Sequence, residues 1–173
     1  MSDIERLIRE SGAIKRGRFT LSNAELTDYY VDKYAFETDP ELLGQIADQI
    51  SQLLSPETID VLAGPTLGAV PLVTAVSLET GIDAAYVRNG ETHRGTQARI
   101  EGTIGKGNRV AIVEDVSATG QTIVETARLI EETGGVTERV IAVVDRNEGA
   151  ASLVSDAGYE LEPLVQLPDG FDA

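Results

Sequence analysis

Hydrophobic and polar positions alternate along the chain in blocks that read as helix and strand by turns. Ile4, Leu7 and Ile8 fall at i, i+3 and i+4, which predicts a short amphipathic helix over residues 3 to 10. Ser2 or Asp3 serves as its cap and Gly12 as its end. Residues 18 to 34 hold two extended pieces around a polar turn, and Tyr29, Val31 and Lys33 alternate with Tyr30, Asp32 and Tyr34. Thr38 or Asp39, followed by Pro40, starts a helix whose apolar stripe runs from Leu42 to Leu54. Ile59 to Ala63 reads as a strand, Gly64 to Gly68 as a turn, and the next apolar segment as a helix to Leu78. A strand over residues 84 to 87 follows, then residues 89 to 99, which lack apolar periodicity and read as a mobile loop or hairpin. A further extended piece begins at Ile100. Val110 to Val113, Val140 to Val144 and Tyr159 to Val165 are further strands. Between them lie a helix from Gln121 to Gly134 and one from an Asn147 cap to Ala157. Strands alternating with helices at this spacing predict an α/β fold with a parallel sheet and a ligand site at the carboxyl ends of its strands.

Length and composition narrow this picture. At 173 residues and 42% hydrophobic, the chain suits one domain with a sizeable core. It has no cysteine, which excludes disulfide and thiolate chemistry. No apolar run is long enough to span a bilayer, and the charged N-terminus is unlike a signal peptide, so a cytoplasmic protein without a membrane partner is expected. The net charge of −15, with three Lys (Lys15, Lys33, Lys106) against eleven Arg, argues against a nucleic-acid partner. Such an acidic, Lys-poor surface resembles that of proteins from salt-loving organisms, where salt screens self-repulsion.

The candidate chemistry centres on Arg109 to Thr122, RVAIVEDVSATGQT. A buried strand ends at two adjacent acids, Glu114 and Asp115. The small-residue loop Ser117–Ala118–Thr119–Gly120 leads into a helix. A tight turn whose amides point inward, backed by a helix N-terminus, cradles a phosphate. Two carboxylates at its lip repel phosphate and need other work, as ligands of sugar hydroxyls or neighbours of a divalent cation.

Four apolar residues, two acids, two variable residues and Thr-Gly resemble the phosphoribosyl-pyrophosphate signature of the type I phosphoribosyltransferases. Tyr29-Tyr30-Val31-Asp32, Arg99-Ile100-Glu101-Gly102 and Asp145-Arg146-Asn147-Glu148-Gly149 resemble the orotate branch of that family. The resemblance implies a hood at about residues 14–36, a core at about 39–165 and a homodimer. It also implies transfer of the 5-phosphoribosyl group of phosphoribosyl pyrophosphate to orotate, giving orotidine 5′-phosphate and pyrophosphate. Magnesium is expected as the cofactor, held mainly through the substrate. By the same resemblance Glu114 and Asp115 hold the ribose. Val116, Ser117, Ala118, Thr119, Gly120, Gln121 and Thr122 form the 5′-phosphate loop. Arg88 and Arg94 neutralise the leaving group, with Arg94 and Asp115 as catalytic residues. Arg146, Tyr30 and Ala118 face the base. The chain departs from the family at Asn89 and Thr92, where loop lysines are usual, at Arg94, where a His is usual, at Ala118, where a Thr is usual, and at Ser22, where many members have Lys. His93, the only histidine, lies one place early. Two alternatives stay open: a transferase for another nucleobase, and a phosphoribosyltransferase-like sensor that binds donor or nucleotide without catalysis.

Overall fold

The computed structural model describes residues 3–20, 26–88 and 98–168. Helix α1 (Asp3–Glu10) leads into an antiparallel hairpin of β1 (Ile14–Thr20) and β2 (Leu26–Val31). Short helix α2 (Tyr34–Glu37) and helix α3 (Pro40–Ser51) connect this hood to the core. There β3 (Val61–Pro65), α4 (Val70–Thr80), β4 (Asp83–Val87), β5 (Ile100–Glu101), β6 (Arg109–Ser117), α5 (Gln121–Glu132), β7 (Val136–Asp145), α6 (Ala150–Asp156) and β8 (Leu161–Gln166) follow in order. The six-stranded sheet has the order β5-β4-β3-β6-β7-β8. It is parallel except for β5, which pairs antiparallel with β4 at the edge.

Both faces of the sheet are covered, which is why the inner strands read as unbroken apolar runs. Leu62, Ala111 and Val113 point to one side, with Ile8, Phe36, Ile46 and Leu72 from the helices there. Val61, Ala63, Val110 and Ile112 point to the other, where Ile123, Ile130 and Val154 meet them. Gly64 permits this packing, since a Cβ there would lie 2.6 Å from Val73 Cγ2.

Several element bounds depart from the sequence reading. Strand β2 stops at Val31, and Tyr34 begins a helix, so Lys33 leaves the hood strand and turns toward the core. The Asp39 carboxylate caps α3 by accepting from the Glu41 and Leu42 amides at 2.9 and 3.1 Å, but the helix ends at Ser51 because Leu53 and Leu54 lie in the turn after it. Strand β3 is shifted two residues later than expected. Asn147 does not cap α6: it takes a positive φ of 59°, and Gly149 occupies the cap position without a side-chain hydrogen bond. Strand β6 runs on past its apolar residues to Ser117, so Glu114 and Asp115 are buried strand residues rather than the lip of a loop. Pairing with β7 through Ser117↔Asp145 holds it extended there.

Candidate active site

The chain leaves β3 toward β4 on one side and returns to β6 on the other. The crevice beyond the carboxyl ends of β3 and β6 is therefore the switch point of the sheet, where α/β folds bind ligands. A cavity of about 280 Å³ lies there. Pro65, Thr66, Leu67 and Gly68 after β3 form one wall, with a cis peptide between Thr66 and Leu67. Glu114, Asp115 and Val116 form the other, Thr122 of α5 lies at one side, and Lys33 reaches in from the hood.

Lys33 offsets the charge of the two adjacent acids at this crevice. Its Nζ donates to Asp115 Oδ2 at 2.5 Å. Burial opposes the charge of Lys33, but the hydrogen bond and charge of Asp115, with Glu37 adding to them, raise its pKa above the usual value. Glu114 is pushed well above the ordinary carboxylate range, first by burial and then by the charge of Asp115, which favours its neutral form. Glu37 is also buried, and neither carboxylate oxygen has a hydrogen-bond partner. Its pKa is pushed up to about 8 by burial and by Asp115, against the pull of Lys33. Asp115 Oδ1 accepts from the Val116 amide at 2.5 Å, which fixes the carboxylate at the strand end.

Beyond Ser117 the loop turns at Ala118, Thr119 and Gly120, and Gly120, at φ 81°, opens α5. No acidic side chain lies in the first turn of α5, so its amide dipoles face the loop unopposed. Ser117 Oγ is buried without a hydrogen-bond partner, and Gln121 and Thr122 are exposed at the helix start. The Arg146 amide donates to the Ser117 carbonyl at 2.8 Å, tying the end of β7 to this loop.

At that next strand end Arg146 is buried. Its guanidinium lies 4.6 Å from the centre of the Tyr29 ring, and Nε donates to Tyr29 Oη at 3.3 Å. Tyr29 Oη donates to Glu148 Oε1 at 3.1 Å. Arg146 Nη2 stands 2.7 Å from the same carboxylate without the alignment of a hydrogen bond. Asp145 is not its ion-pair partner; that carboxylate accepts from the Asn147 amide and Gln166 instead.

The folded chain thus gathers Glu114, Asp115, the loop Val116–Thr122 and Arg146 along adjacent strand ends. Tyr30 lies on the opposite face of β2 from buried Tyr29, more than a third exposed, with its ring 5.5 Å from that of Phe19. Arg88 pairs with Glu101 at 3.1 Å on the sheet edge, and Arg99 with Glu125 at 2.6 Å. Asn89, Thr92, His93 and Arg94, like Ser22, lie outside the described residues. Lys33, Glu37, Tyr29 and Glu148 were not singled out as site residues from the sequence. Lys33 carried a signal, as one of three lysines in the chain, and Glu148 stood inside the Asp-Arg-x-Glu-Gly segment.

A six-stranded, mostly parallel sheet with an acid pair and a phosphate loop at its switch point defines a phosphoribosyltransferase-type protein. Residues 35–157 match the family model described as phosphoribosyl transferase domain. The orotate phosphoribosyltransferase of Natronomonas pharaonis is 42% identical over 162 residues, 94% of this chain and 92% of the relative. That of Halobacterium salinarum is 39% identical over 99% of this chain and 97% of its own. The orotate phosphoribosyltransferase of Mycobacterium tuberculosis H37Rv, solved with Fe(III) dicitrate, is 33% identical and superposes with a TM-score of 0.81 over 95% of both chains. The same enzyme in complex with 5-phospho-α-D-ribosyl 1-diphosphate is 30% identical over 95% of this chain and 94% of its own, with a TM-score of 0.77. The chain belongs to the phosphoribosyltransferase family and, within it, to the orotate phosphoribosyltransferases.

Proposed function

We propose that the protein transfers the 5-phosphoribosyl group of phosphoribosyl pyrophosphate to orotate, forming orotidine 5′-phosphate in pyrimidine synthesis. The observation that carries this reading is the pairing of the β6 acids and phosphate loop with Arg146 at the adjacent strand end. One supplies a sugar-phosphate site and the other a guanidinium for a carboxylate-bearing base. The carbon–oxygen bond to pyrophosphate breaks, with its electron pair leaving on the pyrophosphate oxygen. A bond from the base nitrogen to the anomeric carbon forms, and that nitrogen gives up its proton to the departing pyrophosphate or to water. Asp115 and Glu114 hold the ribose hydroxyls as positive charge develops at the anomeric carbon. The amides from Val116 to Thr122 and Ser117 Oγ hold the 5′-phosphate. Arg146, stacked on Tyr29 and flanked by Glu148, orients orotate. Arg88 and Arg94 belong to the leaving-group side in this reading, and Ala118 and Tyr30 to the base side.

Magnesium suits the site, because Glu114 and Asp115 offer hard oxygen donors. Among the described residues no group of three or more His, Asp or Glu could cage the ion; in this reading the substrate carries most of its ligands. When bound there it neutralises the pyrophosphate charge. A homodimer in the cytoplasm completes the reading, and sedimentation velocity checks the dimer. No helix is long and apolar enough to cross a membrane among the described residues.

The test is loss of orotate absorbance with phosphoribosyl pyrophosphate and magnesium, in molar potassium chloride and in dilute buffer. Arg146→Ala is expected to lower kcat/KM about 100-fold or more while the fold persists. Absence of turnover by the folded wild-type protein in both salts rejects the reading.

A further inference from the structure

Resting on the reading that the cavity between β3 and β6 holds the sugar donor, we propose that Lys33 is a leaving-group cation of this enzyme, contacting the pyrophosphate directly. Lys33 is the one cationic side chain lining that cavity among the described residues. Its position joins the two halves of the donor site. On one side Nζ holds Asp115, the ribose carboxylate, at 2.5 Å. On the other it sits against the Pro65–Gly68 turn so closely that a Cβ on Gly68 would stand 2.0 Å from Nζ and 1.7 Å from Asp115 Oδ2. The absent side chain at position 68 is therefore the space that the ammonium enters.

An ammonium has three donors, and Asp115 takes one. The side chain is about a quarter exposed, and it lines the cavity. The stem starts from the short α2 link, where the chain has left β2, and its head lies 5.5 Å from the centre of the Tyr34 ring. A purely structural ion pair would not need to stand at the ligand wall. Glu37, buried one turn further along with both oxygens unpartnered, is held neutral by burial and by Asp115, so Asp115 is the carboxylate that competes for the ammonium. As the carbon–oxygen bond breaks, the departing oxygen takes the electron pair, and Lys33 donates a hydrogen bond to the new charge without losing its proton. The chain lacks the usual loop lysines at Asn89 and Thr92, so a lysine delivered from the hood supplies the point charge from within the site.

The test separates this role from simple neutralisation of Asp115. Binding of inorganic pyrophosphate is measured by calorimetry, in one salt, for wild type, Lys33→Met, Asp115→Asn and the double variant, each checked for folding by circular dichroism. Lys33→Arg serves as the conservative control, and Lys33→Gln replaces Lys33→Met should that variant not fold. The double variant is expected to bind pyrophosphate about 10- to 100-fold more weakly than Asp115→Asn, since a charge-assisted hydrogen bond is lost in a background with no Asp115 charge to neutralise. In orotate turnover, Lys33→Met is expected to lower kcat about 100- to 1,000-fold with little change in KM for orotate, and Lys33→Arg to restore part of it. Equal pyrophosphate affinity in Asp115→Asn and the double variant, or no pyrophosphate binding by wild type, overturns the proposal. Wild-type protein that binds pyrophosphate through Lys33 but turns over no orotate supports it while rejecting the orotate reaction, so the two failures are distinct.

Discussion

Gly68 has no room for a side chain, and this makes it a sharper probe of the proposed donor site than any charged residue. In Gly68→Ala the methyl group would stand 1.7 Å from Asp115 Oδ2 and 2.0 Å from Lys33 Nζ, far inside van der Waals contact, so the ion pair must part or the turn must move. We expect KM for phosphoribosyl pyrophosphate to rise about 10-fold or more, with KM for orotate much less affected, measured by initial rates with each substrate varied. Glu37 gives a second residue-level prediction. Its folded pKa of about 8 lies above its ordinary 4.5. Below 4.5 both states hold the proton. From 4.5 to 8 the unfolded chain loses it while the folded one keeps it, so this group's contribution to stability falls as pH rises and levels off above 8. Lys33 and Asp115 are the charges that act on it. Glu37→Gln is expected to be more stable than wild type at pH 9, by an amount on the order of a few kcal/mol, and to lose that advantage at pH 4. Thermal melts at the two pH values decide it. None of this was visible in order along the chain, because residues 33, 37, 68 and 115 meet only when the hood link, the β3 turn and β6 converge.

Helices and strands were largely legible in advance, because burial on one or both faces leaves a period in the sequence. The α3 start is the clearest case, with Asp39 and Pro40 in the cap and first-turn positions that their chemistry predicts. Asp39→Ala should cost about 1 kcal/mol, read as a lower denaturation midpoint with activity per folded molecule unchanged. The misread boundaries share a cause. The polar ends of β6 and β7 are held extended by pairing with each other, which local pattern does not reveal. Strand β2 stops where α2 must turn into the core, although alternation continued on paper through Tyr34. Asn147 has the chemistry of a helix cap, but its amide is drawn to Asp145 and the helix starts after Gly149 instead.

Across the molecule, 29 acidic residues face 14 Lys and Arg. Mutual repulsion over such a surface weakens as the Debye length falls from about 10 Å at 0.1 M salt to about 3 Å at 1 M. The melting temperature should therefore climb between 0.1 and 2 M potassium chloride, followed by circular dichroism; a flat or falling curve would count against the salt-adapted reading. Part of the charge is already used locally, as where Arg139 and Glu162 pair across β7 and β8 and Arg109 holds Asp60 at 2.8 Å. The order of elements, the apolar inner strands, the acid pair with the small-residue loop after it, and the acidic composition could all be read from the chain, since each is a matter of neighbours in sequence or of totals. Which tyrosine of the hood meets Arg146, which carboxylates are buried, and which lysine enters the cavity between β3 and β6 were decided only by folding. Those contacts join residues tens of positions apart, and their charge states follow from burial, which no linear pattern records.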